Sequence, residues 1–319
     1  MHEFELIQHY FSAIGTSSSR VKLGVGDDAA IVGGNDDDLL VCSDTMVEGV
    51  HFSPQTAPSD IGYKLLTVNL SDMAAMGGDP SWCLLNLTLP EVDRSWISSF
   101  AEGLNEAAKQ FGVQLIGGDT TRGPLCLSLQ LGGYVPKQSA LVRSGASAGD
   151  QLFVSGPIGD AYLGLVSTRH SIGLTQDALD KAQKALNRPT PQVTLGMALR
   201  GIATSCIDIS DGLLADLEHV LAASGGLGAR INADTVPLSI AGRQWLQNGG
   251  ELQQLFSGGE DYELCFTAPA SHAKKIDQLY CWTDNVCTAI GCIEETPGIR
   301  VLDNAGKTLT SIEFGYQHF

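Results

Sequence analysis

The sequence predicts an α/β protein of two domains. Short apolar runs of strand character alternate with amphipathic helical stretches. The alternation stops in a polar, small-residue stretch at 136–150 (PKQSALVRSGASAGD) and then begins again. A chain of 319 residues, 43% hydrophobic and 17% charged, is long enough for two cores and too apolar for disorder. The expected division is 1–140 and 141–319.

The elements follow in order. Phe4, Ile7, Phe11 and Ile14 fall at helical spacing and predict a short opening helix over 2–14. A glycine-rich turn, GVGDDAA (24–30), leads to a strand at 39–43 (LLVCS). Ser59-Asp60 reads as the N-cap of a long helix through KLLTVNLSDMAAMG that stops at Gly77-Gly78. WCLLNLTL (82–89) is a strand closed by Pro90, and Asp93 caps a helix that ends at Phe111-Gly112. Strands follow at 113–118 and 125–134. Beyond the polar stretch come a strand at 151–156 and helices near 160–168, 177–186 and 191–203. Pro189 and Pro191 interrupt what is otherwise one helical run. Strand SCIDIS, a helix from Asp211 and further strand–helix units to 302 complete the chain.

A net charge of −17 and a pI near 4.6 exclude a protein that tracks nucleic acid or an anionic membrane. No apolar run reaches the length of a membrane span, and the amino terminus lacks the basic and apolar regions of a signal peptide, so a cytoplasmic protein is expected. The eight cysteines form no CxxC pair. Most lie in apolar runs, where cysteine behaves as a small hydrophobe. The late trio Cys281, Cys287 and Cys292 matches no tight zinc spacing and reads as free thiols.

The chemistry lies in a recurrence of aspartates beside glycines or at strand ends: Asp27-Asp28 in GVGDDAA, Asp44 in CSDT, Asp72 in NLSDMAAMGGDP, Asp119 in IGGDTTRG, and Asp208 and Asp211 in DISDG. Each alone reads as a turn residue or N-cap, Asp211 before GLLADLEHV especially. Together they converge where strands leave a sheet. Two like charges 4 Å apart repel by roughly 4 kcal/mol even at an effective dielectric of 20, so such a cluster implies bound cations. Magnesium suits carboxylate oxygens completed by water and phosphate, and the soft ligands that mark zinc or copper are missing from these motifs.

No GxxxxGK[ST] and no HRD/DFG set is present, so neither the P-loop nor the protein-kinase solution applies. The glycine-flanked IGGDTTRG and SGGEDYE instead offer backbone N–H groups to phosphate, with Arg122 and Arg143 as forked donors. A phosphate acceptor is already ionised, so metal neutralisation and in-line positioning suffice without a general base. His51, in EGVHF, is the one histidine inside a motif region; its pattern alone reads as packing or capping.

GVGDDAA, SDT with GVHF, NLSDMAAMGGDP, IGGDTTRGP, RSGASAGD, DISDGL, SGGEDYELCF and the terminal GYQHF occur in this order and resemble the thiamine-monophosphate kinase family over essentially the whole chain. The resemblance implies the two-domain aminoimidazole-ribonucleotide synthetase-like fold. In it, an amino-terminal sheet domain dimerises and a carboxy-terminal α/β domain closes the site. It also implies ATP as co-substrate, several Mg2+ ions, and direct transfer to thiamine monophosphate, giving thiamine diphosphate. Carried onto this sequence, the metal positions are Asp27, Asp28, Cys42, Ser43, Asp44, Asp72, Asp119, Asp208 and Asp211, with Asp44, Asp119 and Asp211 as the catalytic carboxylates. Gly118, Asp119, Arg143 and Ser210 correspond to ATP contacts, and His51 and Glu260 to substrate contacts. Cys42 departs from the Ser or Thr frequent in the family, leaving a backbone carbonyl as its ligand. The tail lacks the tryptophan that packs on the thiamine ring, so Phe314 or Tyr316 stands in its place.

The rival readings are another member of the superfamily, such as selenophosphate synthetase, and a non-catalytic binder of divalent cations. The first requires a reactive Cys or selenocysteine near the amino terminus, whereas the first cysteine here is Cys42, in a strand-like run. The second leaves Arg143 and the glycine motifs unexplained.

Overall fold

The structure is a computed structural model that describes residues 18–283 and 286–309. The expected opening helix at 2–14 and the tail residues Phe314 and Tyr316 lie outside the described residues.

The amino-terminal half builds a six-stranded sheet in the order β1-β2-β3-β6-β4-β5. Its strands are β1 (Val21–Leu23), β2 (Ala30–Gly33), β3 (Asp37–Val47), β4 (Asp79–Leu89), β5 (Gln114–Arg122) and β6 (Cys126–Pro136). Helix α1 (Pro58–Ala75) joins β3 to β4, and α2 (Arg94–Phe111) joins β4 to β5. The α2 crossover is what allows β4 and β5 to run parallel in an otherwise antiparallel sheet. Strand β3 alternates with period two, burying Leu40, Cys42 and Met46 and turning Ser43 and Thr45 to the open face. Asp44 belongs to the inward series, so a carboxylate is carried into the face that packs on α1.

Helix α1 begins two residues earlier than expected. Ala57 is the N-cap and Pro58 takes the first helical position, where a missing N–H costs nothing. Ser59 and Asp60 fall inside the first turn, and the Asp60 charge suits the positive end of the helix. The helix stops as expected at Gly77, whose φ is +64°. The Gly78 N–H donates to the Met73 carbonyl (2.7 Å) and the Gly77 N–H to that of Ala74 (2.9 Å). Asp93 caps α2 through the N–H groups of Ser95 and Trp96. The segment IGGDTTRG, expected as a glycine loop, instead continues β5 as an edge strand.

The second half carries a second six-stranded sheet, ordered β12-β9-β11-β7-β10-β8. These strands are β7 (Gln151–Val154), β8 (Ser205–Asp208), β9 (Gly228–Asn232), β10 (Leu264–Ala268), β11 (Thr288–Glu294) and β12 (Gly298–Leu302). The expected helix at 191–203 is shorter, α5 (Val193–Ala198), following α3 (Asp160–Ser167) and α4 (Gln176–Asn187). Helices α6 (Leu213–Ala223), α7 (Ile240–Gln247), α8 (Leu252–Ser257) and α9 (Ala273–Thr283) complete this half. Leu152, Val154, Ile207 and Cys265 face a core shared with Leu163 of α3, Leu213 and Leu217 of α6 and Leu255 of α8. The alternate residues Phe153, Cys206 and Phe266 join the α1 core, with the two phenyl rings stacked at 5.2 Å. Strands buried on both faces read as unbroken apolar runs.

Helix α1 is therefore sandwiched between the first sheet and β8 and α5 of the second half, buried over most of its surface. That explains its lack of a polar stripe, and why Lys64, Thr67, Asn69 and Ser71 are buried polar residues that need partners. Two of those partners, Glu260 for Lys64 and Asp208 for Ser71, come from the other half, along one seam. Arg188, after α4, pairs with Asp60 (3.1 Å) and Glu106 and lies over the Tyr63 ring.

Candidate active site

The ends of β3 and β8, the last turn of α1 and the GVGDD turn meet at the seam. Carboxylate oxygens of Asp28, Asp72 and Asp208 lie within 4.8 Å of one another, each from a different element. Asp28 and Asp208 are buried, and Asp28 Oδ2 is a buried oxygen without a hydrogen-bond partner. A buried acceptor left open beside two other carboxylates fits a hard cation with oxygen ligands.

The electrostatics agree. Burial, with the charge of Asp28, pushes the Asp44 carboxyl up to about 6. Burial and Asp28 push Asp208 up to about 8, against a hydrogen bond from Ser71 Oγ (2.7 Å) and the attraction of Arg143. Asp72 is raised well above the carboxylate range by burial and by Asp44, Asp208 and Asp28. Asp27 rises to about 6 through burial and the adjacent Asp28, although the N–H groups of Arg143 and Asp28 donate to it. Four like charges in a desolvated space are each unfavourable unless a counter-charge arrives.

One counter-charge is built in. Arg143, in the stretch between the two halves, donates from Nη2 to Asp28 Oδ1 (2.5 Å) and from its backbone N–H to Asp27 Oδ2 (3.1 Å). The residue expected to touch ATP is thus held by the metal-site turn. Asn69 on α1 orients β3, its Oδ1 accepting from the Asp44 N–H (3.2 Å). Cys42 turns its thiol inward to the Asn69 carbonyl (3.4 Å), and Ser43 faces the opposite side of the sheet, where Gln130 Nε2 approaches its Oγ at 3.5 Å.

The DISDG loop is organised by a residue that motif reading missed. Asp216 on α6 accepts from the backbone N–H groups of Ser210 (3.0 Å), Asp211 (3.1 Å) and Gly212 (3.1 Å). Gly212, not Asp211, is the N-cap of α6, which leaves the half-buried Asp211 in the loop rather than on the helix. The SGGEDYE loop closes over it: the Glu260 N–H donates to the Ser210 carbonyl and the Tyr262 N–H to that of Ile209, both at 2.8 Å. Glu260 and Tyr262 adopt φ of +71° and +52°, a conformation non-glycine residues hold only where surroundings enforce it. Glu260 pairs with Lys64 of α1 at 2.8 Å. Lys64, Asn69, Ser71 and Asp216 were all legible only as polar letters inside apolar helical runs.

His51 sits in the turn after β3, its Nδ1 accepting from the Val47 N–H (3.1 Å), so a neutral ring carries its proton on Nε2. Gly118 and Asp119 are elsewhere. Gly118 has φ +141°, and a Cβ there would meet the Leu85 carbonyl oxygen at 1.8 Å. Asp119 is in register with Asn86, Ser128 and Thr45, hence on the open face, while Asp44 faces inward. Three strand spacings of about 4.8 Å separate β5 from β3, roughly 14 Å. Arg122 ends β5, with Nε donating to the Pro90 carbonyl. Among the described residues, Cys281, Cys287 and Cys292 form no metal cluster.

The AIR synthase related protein N-terminal domain matches residues 26–135, and the corresponding C-terminal domain matches 147–304. The thiamine-monophosphate kinase of Salmonella typhimurium is 43% identical over 99% of this chain and 98% of its own length. The crystal structure of thiamine-monophosphate kinase from Stenotrophomonas maltophilia K279a superimposes with a TM-score of 0.80 at 42% identity, covering 92% of this chain and 93% of that one. The structure of AaThiL complexed with AMPPCP and TMP superimposes with a TM-score of 0.86 at 31% identity, covering 100% of this chain and 97% of that one.

Proposed function

The chain belongs to the thiamine-monophosphate kinase family of AIR-synthase-related proteins, and from that premise we propose that it transfers the γ-phosphate of ATP directly to the phosphate of thiamine monophosphate. The observation that carries this reading is the convergence of Asp28, Asp72 and Asp208, with a buried, unpartnered Asp28 oxygen, at the seam between the halves. These three, with Asp44 beside them, would hold Mg2+, which supplies positive charge to the phosphate oxygens of both substrates when bound. Asp27 and Asp28 hold Arg143 at the mouth of this cluster, where its guanidinium meets nucleotide phosphates. Asp216 presents the Ser210–Gly212 backbone, and the SGGEDYE loop aims Glu260 at the acceptor. His51, with its proton on Nε2, serves as a donor to the acceptor's phosphate.

The bond from the γ-phosphorus to the bridging oxygen of ADP breaks as one forms to an acceptor phosphate oxygen. That oxygen is ionised at neutral pH, so no side chain need remove a proton. The chain's task is to place two polyanions in line and exclude water.

Residues 1–140 serve as the ATP- and metal-binding and dimerisation domain, and 141–319 as the domain that closes the site and brings Asp208 to the cluster. A homodimer through the first sheet is supported by the edge strand β5, which exposes Leu115 and Ile116. Eight cysteines, all free, suit a reducing, cytoplasmic setting. No described helix is long and apolar enough to cross a membrane.

A coupled ADP-release assay with ATP and Mg2+ tests the reading, comparing thiamine monophosphate with free thiamine. ADP and thiamine diphosphate formed from the monophosphate alone are expected. ATP binding without turnover of either would refute the substrate while leaving the fold and metal site standing.

A further inference from the structure

Lys64 is the one lysine or arginine among the described residues that is fully buried. It projects from α1 at the seam, and its ammonium meets Glu260 Oε1 at 2.8 Å. Removing an ammonium from water is costly and is seldom done for stability alone, since a well-packed apolar residue often serves the fold as well.

Nor does the Glu260 loop need Lys64 to keep its shape. The Glu260 and Tyr262 N–H groups are tied to residues 210 and 209. Asp261 accepts from the N–H of Gly159 (2.8 Å) and Ala161 (3.4 Å) at the start of α3. Glu263 accepts from Ser155 and from Gln192 (3.0 Å). With the backbone fixed on both sides of Glu260, the path of the loop does not depend on Lys64.

Lys64 also has a route to the carboxylate cluster. Ser71, whose Oγ donates to Asp208, lies seven residues further along α1. Two turns put both on one face, about 10 Å apart, and a lysine stem is long and flexible enough to cover much of that gap.

The proposed acceptor carries a fixed thiazolium cation and a phosphate anion. A buried Lys–Glu pair is the complementary doublet. Resting on the kinase reading, we propose that the Lys64–Glu260 pair is exchanged on substrate binding: Lys64 turns to the acceptor's phosphate, and Glu260 is released to the cationic, amino-bearing ring portion. In the empty protein the two residues neutralise each other, and in the complex each finds an opposite charge on the substrate. Lys64 is thereby the residue that discriminates thiamine monophosphate from thiamine, because without a phosphate nothing compensates the ammonium for losing Glu260.

Titration calorimetry of thiamine monophosphate, free thiamine and a non-hydrolysable ATP analogue against wild type, Lys64→Met and Lys64→Arg tests this, with melting temperatures as a check on folding. Lys64→Met is expected to lose at least tenfold in affinity for the monophosphate, to keep or gain affinity for thiamine, and to bind the ATP analogue as wild type does. Lys64→Arg should retain most of the preference. If Lys64→Met proves unstable, the double variant Lys64→Met/Glu260→Gln leaves no unpaired buried charge and should show the same collapse of the monophosphate-to-thiamine ratio. Equal weakening of both thiamine compounds, or an unchanged ratio, would overturn the exchange and make the pair structural. Wild type that binds neither compound would overturn the kinase reading itself.

Discussion

Asp208 shows most directly what the site demands at the scale of a residue. An Asp in the unfolded chain titrates near 3.8, whereas burial and Asp28 raise Asp208 to about 8 in the fold, and burial raises Asp27 and Asp44 to about 6. The folded state therefore binds protons more tightly. Their contribution to stability is fully present below about pH 4 and is lost as pH rises, through about 6 for Asp27 and Asp44 and about 8 for Asp208. In chelator, the melting temperature is predicted to fall between pH 5 and pH 8. Mg2+ binds the ionised form and should restore it, more at pH 8 than at pH 5. A flat profile, or an equal Mg2+ effect at both values, would contradict the shared site. Asp208→Asn should raise the melting temperature in chelator at pH 8, abolish the Mg2+ shift and cut kcat by on the order of 10³. Cooler melting in chelator would mean that Asp208 is held by the fold for some other purpose.

At the scale of the element, the caps divide into those that local spacing reveals and those that it does not. Asp93 lies two and three residues from the N–H groups it accepts, so the cap of α2 was legible. Asp93→Ala is predicted to lower the midpoint of chemical denaturation and to leave kcat unchanged. Asp216 reaches back to residues 210–212 from inside α6, and reads in sequence as one more helical polar residue. Its replacement by Ala strands three donors, each costing about 1 kcal/mol or more, and loosens the loop beside Asp208. Asp216→Ala is therefore predicted to lose about 3 kcal/mol and to lower kcat/KM; stability loss without an activity defect in the folded fraction would deny the loop its role. The same contrast explains α1. Its existence and its glycine stop were readable, but its start fell on Pro58 and not on the attractive Ser59-Asp60, because Pro pre-sets the first turn and Asp60 is drawn to Arg188 from the other half.

At the scale of the molecule, one expected ligand stands apart. Asp119 is on the open face at the sheet edge, with Asp44 on the inward face three strands away. A partner copy seated on β5, the exposed edge of the first sheet, would lie beside Asp119, so mixed dimers test whether this carboxylate completes another copy's site. Asp44→Asn and Asp119→Asn are each predicted to be inactive and folded. Mixed dimers of the two should regain one intact site, measurable as ADP release after co-refolding. No recovery would place Asp119 in the service of its own chain.

The sequence by itself determined the two-domain α/β architecture, most of its strands and helices though not β1 and β2, and the kinase family, and it singled out the aspartates as candidates. Those properties are written in local periodicity, in turn chemistry and in motif order, which survive being read one residue at a time. Tertiary structure alone decided which aspartates share a space, because Asp28, Asp72 and Asp208 come from a turn, a helix and a strand far apart in the chain. It also decided the partners of Lys64, Asn69 and Ser71, since a helix enclosed on all sides must satisfy its buried polar groups with what its neighbours present: Glu260 and Asp208 from the far half, and the Asp44 N–H from the near sheet.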